Sequence, residues 1–230
     1  MSMFHYSAIL TDTPCDKGQR LVSSLFDWPV SHRRGGPTMP EKSGDVKRQI
    51  LAAAWSLVSE RGGDKATISD IAAAAGCAKG LVHYHFGTKK ALMFEVASAT
   101  VMSRTKTWTD ALDQENPQTA IDRSWELLRG EAKDGTVHAW AATVDRTDVT
   151  DRSVKNQYEL FSSDLGASVA RLLTASGFIP SVPDDELGAL LGSVVHGIGK
   201  MLVAGMDEAL LEAAYAATWI GILSLTRPAS

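Results

Sequence analysis

Residues 67–92 read TISDIAAAAGCAKGLVHYHFGTKKAL, and this stretch decides the fold. Thr67 with Asp70 three residues on is a capping-box start: the hydroxyl is set to accept from an amide that the first helical turn leaves unpaired. Ile68, Ile71, Ala72 and Ala75 follow at the i, i+3, i+4, i+7 spacing of a short helix, and Gly76 stops it. Another short helix is predicted from about Ala78 to His85, and a further one opens at Thr88, whose hydroxyl caps the amides ahead of Leu92, Met93 and Val96. Helix, tight turn at a glycine, helix is the arrangement that lays a second helix in a DNA major groove while the first crosses the backbone. The small Ala72 and Ala75 let the two helices approach, and Ile71, Val82 and Phe86 fix their angle by burial. The opposite face of the second helix is left to read DNA.

Working outward, Val46, Ile50, Leu51, Ala54, Leu57 and Val58 share one helical face from Asp45 until Arg61, Gly62 and Gly63 end the run. Downstream the spacing stays helical, through Ile121, Trp125 and Leu128, and then Val154, Tyr158, Phe161, Leu165, Val169 and Leu172 before Gly177 and Pro180. Asp184 after Pro183 opens a helix that Gly205 terminates, and a last one spans roughly 207–226. Nothing alternates with strand period. The predicted fold class is all-α, a three-helix N-terminal domain with a helix-turn-helix and a C-terminal helical bundle, with about nine helices in total.

Residues 1–43 mix Pro14, Pro29, Pro37 and Pro40 with Gly18, Gly35 and Gly36, show no sustained periodicity, and are expected to form a disordered extension. Met39 stands just before the first clear helix and is a candidate alternative start, which would make residues 1–38 dispensable. Arg33 and Arg34 are the residues of this arm suited to a DNA minor groove.

The 230 residues, 44% of them apolar, can bury a sizeable core. A net charge of −4 at first argues against a nucleic-acid partner, but the average conceals an asymmetry. Residues 40–90 carry eight basic and five acidic side chains, whereas residues 91–230 carry 11 basic and 19 acidic ones. A basic module joined to an acidic one is expected where a single end meets a polyanion. Cys15 and Cys77 lie in segments of different character and suggest neither a disulfide framework nor a paired metal site, consistent with a reducing, cytoplasmic setting. No leader pattern or membrane span is expected; the greasiest stretch, Leu187 to Met206, is interrupted by His196 and Lys200 and reads as a packed helix.

Together with ILAAAWSLVSERG from residue 50, the sequence TISDIAAAAGCAKGLVHYHFGTKKAL resembles the DNA-binding domain of the TetR family of bacterial transcriptional regulators. The likeness covers about 45 residues, with a helix, a helix-turn-helix, an H-F-x-x-K segment and an Ala-Leu pair in order. The resemblance implies that residues 44–90 bind operator DNA, with the motif at about 67–86, and that contacts fall to Thr67, Lys79, Gly80, Leu81, His83, Tyr84, His85 and Lys89. These residue types suit DNA contact, since Lys79 donates to guanine or phosphate, Tyr84 and His85 donate to phosphate, and Leu81 can meet a thymine methyl. Two positions depart from the family pattern. Ala78 stands where a small hydroxyl residue is usual and cannot cap the next helix, and His83 replaces a common tyrosine, with Tyr84 beside it.

The resemblance also implies that residues 91–230 bind an effector and form a homodimer, releasing DNA when a small molecule enters. Trp108, Trp125, His138, Trp140, Tyr158 and Phe161 are the candidate pocket residues, an aromatic set with polar tips. For each of them, core packing is the competing role. The stretch from Gly80 to Phe86, with His138 and Trp140, is similar to the branch of choline-pathway regulators. Leu187, Leu191, Val194, Val195, Ile198, Leu202, Trp219 and Ile222 are candidates for the dimer interface, where Gly188, Gly192, Ser193, Gly197, Gly199 and Gly205 would let a partner helix approach. Packing within one chain is the alternative use of that stripe. A ligand-independent dimeric DNA-binding protein, or an activator, is the alternative function.

No G-x-S-x-G elbow, phosphate loop, H-E-x-x-H or dinucleotide fingerprint occurs, so catalysis and a cofactor are not expected. His83 and His85, two positions apart on a helix, point about 200° apart and make no metal pair.

Overall fold

Four of the helices begin at a residue whose side chain satisfies one of their first free amides. The computed structural model describes residues 41–61, 65–145 and 152–229, so the arm bearing Arg33 and Arg34 lies outside the described residues. Helix α1 (Glu41–Arg61) begins a few residues before Asp45, taking in the end of the predicted extension. Helix α2 (Ile68–Ala74) is capped by Thr67, which accepts from the Asp70 amide at 3.1 Å while Asp70 accepts from the Thr67 amide, the reciprocal box predicted. Helix α3 (Lys79–Phe86) begins at Ala78 with no side-chain cap, and α4 (Lys89–Leu112) begins at Thr88, whose hydroxyl accepts from the Ala91 amide. In the second half, α5 (Pro117–Asp134) starts on an Asn116 cap with Pro117 in its first turn. Next come α6 (Thr136–Thr143), α7 (Arg152–Ala175), α8 (Asp184–Val203) and α9 (Glu208–Ser224), making nine helices among the described residues.

Two three-residue strands were not anticipated. β1 (Phe178–Pro180) pairs antiparallel with β2 (Thr226–Pro228), with Ile179 opposite Arg227, and fastens the C-terminal tail to the α7–α8 connection. Segments this short, each ending in proline, are too brief to show period-2 alternation.

The core of the second half is built from Trp108, Leu112, Leu128, Trp140, Leu165, Leu187, Leu191, Tyr215 and Ile222, all nearly inaccessible. Helices α7 and α8 meet backbone to backbone at Gly166 and Gly188. A Cβ on Gly166 would fall 1.8 Å from the Asp184 carbonyl oxygen, and one on Gly188 would fall 1.8 Å from that of Ser162. A third glycine joins the two halves: Gly135, at φ +93°, separates α5 from α6 and presses on Ser59 at the end of α1, where a Cβ would sit 2.9 Å from the Ser59 Cβ. Helix α8 has the length and apolarity of a membrane span, yet one whole side of it, Leu187, Leu191, Val195 and Ile198, faces this core.

That packing corrects the expected dimer surface. Leu187, Leu191, Val195, Ile198, Trp219 and Ile222 are buried against the chain's own helices, and Val194 and Leu202 are half-buried. Gly188 and Gly199 likewise face neighbours within the chain, Gly199 lying against Val137 and Leu128. Both helices are apolar on more than one side, so the strongest periodic stripe marked the internal core. The outward apolar side chains are Leu190, Met201, Leu210, Ile220 and Leu223.

Candidate DNA interface and buried cluster

Helix α3 is held by its buried side. Val82 is 1% exposed, Phe86 7% and Ile71 of α2 0%, a burial worth roughly 1.5–3 kcal/mol for each large side chain. The turn ahead of it needs Gly76, whose φ of +63° is a conformation that side chains disfavour, and the Cys77 amide closes it by donating to the Ala72 carbonyl at 3.0 Å. Lys79, Gly80, Leu81, His83 and Tyr84 then face outward, with Tyr84 70% exposed. Tyr84 and Leu81 are large apolar surfaces left bare on a short helix, a cost that intramolecular packing does not recover.

The remaining predicted contacts are placed less openly. Thr67 is exposed, but its hydroxyl donates to Asp70 at 2.6 Å as part of the cap. That bond leads the causes that hold the Asp70 carboxyl below its usual pKa. His83 sets Nδ1 3.1 Å from the Gly87 carbonyl at the end of its own helix. His85 is half-buried, its ring edge-on to Tyr84 at 5.1 Å and tilted against Phe86. Lys89 is half-buried at the start of α4. The two histidines do not converge, and among the described residues no group of three His, Cys, Asp or Glu is arranged to hold a metal.

Lys47 was not anticipated. From α1 its ammonium lies 5.4 Å from the centre of the Phe86 ring and 2.7 Å from Glu95 of α4, so one side chain braces the end of α3 against two other helices. A basic residue on the rim of an apolar helix face was the available signal.

The second half contains a charged cluster inside its aromatic core. Arg104 of α4 and Glu131 of α5 are 4% and 3% exposed. Arg104 donates through Nε at 3.0 Å and Nη2 at 2.8 Å, and Trp108 Nε1 adds a third bond to Glu131 at 2.9 Å. The guanidinium lies 4.8 Å from the Trp140 ring centre and 5.1 Å from that of Phe161, so two neighbouring aromatic rings rest against its charge. Trp140 Nε1 donates to Tyr158 at 3.4 Å, and the Tyr158 hydroxyl donates to Asp145 just past α6. Asp145 also takes His196 Nε2 at 3.2 Å and Lys200 Nζ at 2.8 Å, both from α8. Burial works against the Asp145 charge, but the adjoining His196 and Lys200 and the hydrogen bond from Tyr158 outweigh it and hold the carboxyl well below the usual carboxylate range. Burial and the bond to Asp145 push the Tyr158 phenol up to about 12.

Of the six predicted pocket residues, Trp108, Trp140, Tyr158 and Phe161 converge here. Trp125 belongs to a separate aromatic run, 5.6 Å from Tyr215, and His138 points to the surface. On a helix, residues two apart face different ways, which separates His138 from Trp140. Arg104, Glu131, Asp145, His196 and Lys200 were missed. Arg104 carried a signal, since it sits in the buried stripe of Val101, Trp108 and Leu112 where an apolar residue is the rule.

An all-helical fold with an N-terminal helix-turn-helix, its second helix bare on one side, defines the class of helix-turn-helix regulators. Residues 50–96 match the profile of the bacterial regulatory proteins of the TetR family. That match runs from Ile50 of α1 through the helix-turn-helix into the first turns of α4. It is 35% identical to the HTH-type transcriptional repressor Rv3405c of Mycobacterium tuberculosis over 46% of this chain and 55% of that protein. It is 28% identical to the repressor Rv1474c of the same species over 76% of this chain and 94% of that protein. The alignments with the first curated relatives span 30% to 55% of those proteins' lengths. The fold matches a TetR-family regulator from Mesorhizobium loti with a TM-score of 0.66 at 18% identity, over 81% of this chain and 99% of that one.

Proposed function

We propose that this chain is a dimeric, cytoplasmic repressor of transcription that holds operator DNA against the outward side of α3 and lets go when a small molecule enters the α4–α8 core. The observation that carries the reading is the two-sidedness of α3, with Val82 and Phe86 buried while Lys79, Leu81 and Tyr84 are bare. Residues 44–90 then form the DNA-binding module and residues 91–230 the effector and dimer module. Lys79 and Tyr84 take phosphate or base edges, Gly80 lets backbone come close, and Leu81 meets a methyl group. Thr67, His83, His85 and Lys89 contribute at the rim.

Helix α6 supplies the coupling. Its start abuts α1 through Gly135 and Ser59, and its far end carries Trp140 and leads into Asp145, so a shift at the charged cluster is felt by the DNA-binding half. A ligand acts only to the extent that it prefers one position of this element over the other. The names of the similar Mycobacterium repressors support the sign of the regulation.

Fluorescence anisotropy with fragments of the DNA upstream of the coding sequence tests the reading. Binding is expected to weaken steeply between 50 and 200 mM salt, as counterion release requires. Lys79→Ala with Tyr84→Ala is expected to abolish it while the helical circular dichroism stays unchanged. Absence of salt-sensitive binding to every fragment would overturn the proposal, and metabolites that never raise the melting temperature would favour a ligand-independent DNA-binding protein.

A further inference from the structure

We infer that Tyr158, His196 and Lys200 form a binding site for the carboxylate of a small organic acid with an aromatic or apolar body, which Asp145 fills when no ligand is present. The inference rests on the effector reading above and names the chemistry of that site. Three polar groups from two helices converge on one carboxylate: the Tyr158 hydroxyl of α7 donates to one oxygen, and His196 Nε2 and Lys200 Nζ of α8 lie 3.2 Å and 2.8 Å from the other as ion-pair contacts. His196 and Lys200 are four residues apart, so they stand on the same face of α8. Such an arrangement recognises a carboxylate through charge-assisted bonds whatever molecule carries it.

The occupant is also the member most easily withdrawn. Asp145 lies two residues past the end of α6, and its amide makes only a 3.3 Å bond to the Trp140 carbonyl. Tyr158 and His196 belong instead to the interiors of long helices, and Lys200 to the last turn of one. The side chains of Lys200, His196 and Asp145 are 49%, 27% and 17% exposed, so solutes reach the donors without opening the core. The other charged pair offers no such opening, because Arg104 and Glu131 are closed off and already complete.

The half-buried Tyr158 ring is the apolar surface beside the donors, with Trp140 and Phe161 buried behind it. The Tyr158 ring stands edge-on to Trp140 at 5.5 Å and to His196 at 6.5 Å, and Phe161 packs on Trp140 at 5.3 Å. A free acid that takes the three donors leaves Asp145 without partners and releases the end of α6. Its affinity is therefore lowered by the fraction of molecules in which Asp145 holds the site.

Calorimetric titration of the full chain, without DNA, tests this with three probes of one shape: benzoate, benzyl alcohol and benzylamine. Benzoate is expected to bind in preference to the neutral and cationic probes. Asp145→Asn is expected to tighten benzoate at least about tenfold by removing the internal competitor. Lys200→Met is expected to cost at least about tenfold in either background, through loss of a charge-assisted bond. A melting curve confirms that each variant is folded, and Asp145→Ser replaces Asp145→Asn if that variant does not fold. Equal benzoate affinity in wild type and the Asp145 variant, equal binding of all three probes, indifference to Lys200→Met, or no binding of benzoate by any variant would overturn the site. Failure of the repressor reading shows itself separately, as absence of salt-sensitive DNA binding with no probe added.

Discussion

At the scale of single residues, the decisive pair is Arg104 with Glu131. Two charges 3% to 4% exposed are stable inside an apolar core only because each completes the other, with Trp108 taking a remaining lone pair. Removing one partner strands the other. Arg104→Met is expected to cost about 3–5 kcal/mol, measured as a fall in the urea midpoint at constant slope. Adding Glu131→Leu is expected to recover much of that loss, since no unpaired charge then remains buried. Asp145 gives a pH signature of its own. Its folded pKa is depressed by donors that exceed the burial penalty, so its contribution is complete above the unfolded value of about 4 and is lost as pH falls through that value toward the lower folded one. Denaturation of wild type and Asp145→Asn across pH is expected to show the full stability gap at neutral pH and a closing gap below about pH 4. A gap that stays constant into acid would mean that the His196, Lys200 and Tyr158 contacts do not favour the ionised carboxyl.

At the scale of elements, the α7–α8 crossing sets how the second half is assembled. A methyl group on Gly188 would meet the Ser162 backbone carbonyl at 1.8 Å, and backbone cannot swing aside as a side chain does, so the helices must part along their length. Gly188→Ala is expected to destabilise by at least the roughly 1–3 kcal/mol of ordinary overpacking, read as a fall in melting temperature. Gly130→Ala, in α5 with open space around it, is the contrasting case and is expected to gain up to about 1 kcal/mol from helix propensity. The same crossing shows what was legible from sequence. Caps were, because Thr67 with Asp70 and Thr88 with Ala91 act within one turn, and a turn is visible in a short window. The two-sidedness of α3 was legible for the same reason. The glycine stripe of α8 announced a close approach, but spacing carries no label saying whether the approaching helix is the chain's own. The charged cluster joins partners such as Arg104 and Glu131, 27 residues apart and on different helices, and a single sequence records which residues are charged without recording which of them meet.

At the scale of the whole molecule, the proposed dimer must use the surfaces that the core leaves over. Leu210 at 59% and Ile220 at 70% exposure stand out on α9, with Leu190 and Met201 on α8 and Leu223 near the end of α9. In the proposed dimer, a second copy related by a twofold axis covers the same residues on both chains and offers a second α3 to the same duplex. The separation of the two α3 helices must match successive major grooves, about 34–36 Å, for both to bind at once. Leu210→Glu combined with Ile220→Glu is therefore expected to give a folded monomer by light scattering, its circular dichroism unchanged because neither side chain packs in the core. Leu191→Ala, at a residue fully buried within the chain, is expected to do the reverse, lowering stability by about 2–5 kcal/mol while the folded fraction stays dimeric. The monomer can present one α3 to DNA where the dimer presents two. Its operator affinity should collapse, and the slope of log affinity against log salt should fall to about half, because half the phosphate contacts are lost. If the double glutamate variant remains a dimer with its full salt slope, the partner does not sit on this side of α8 and α9.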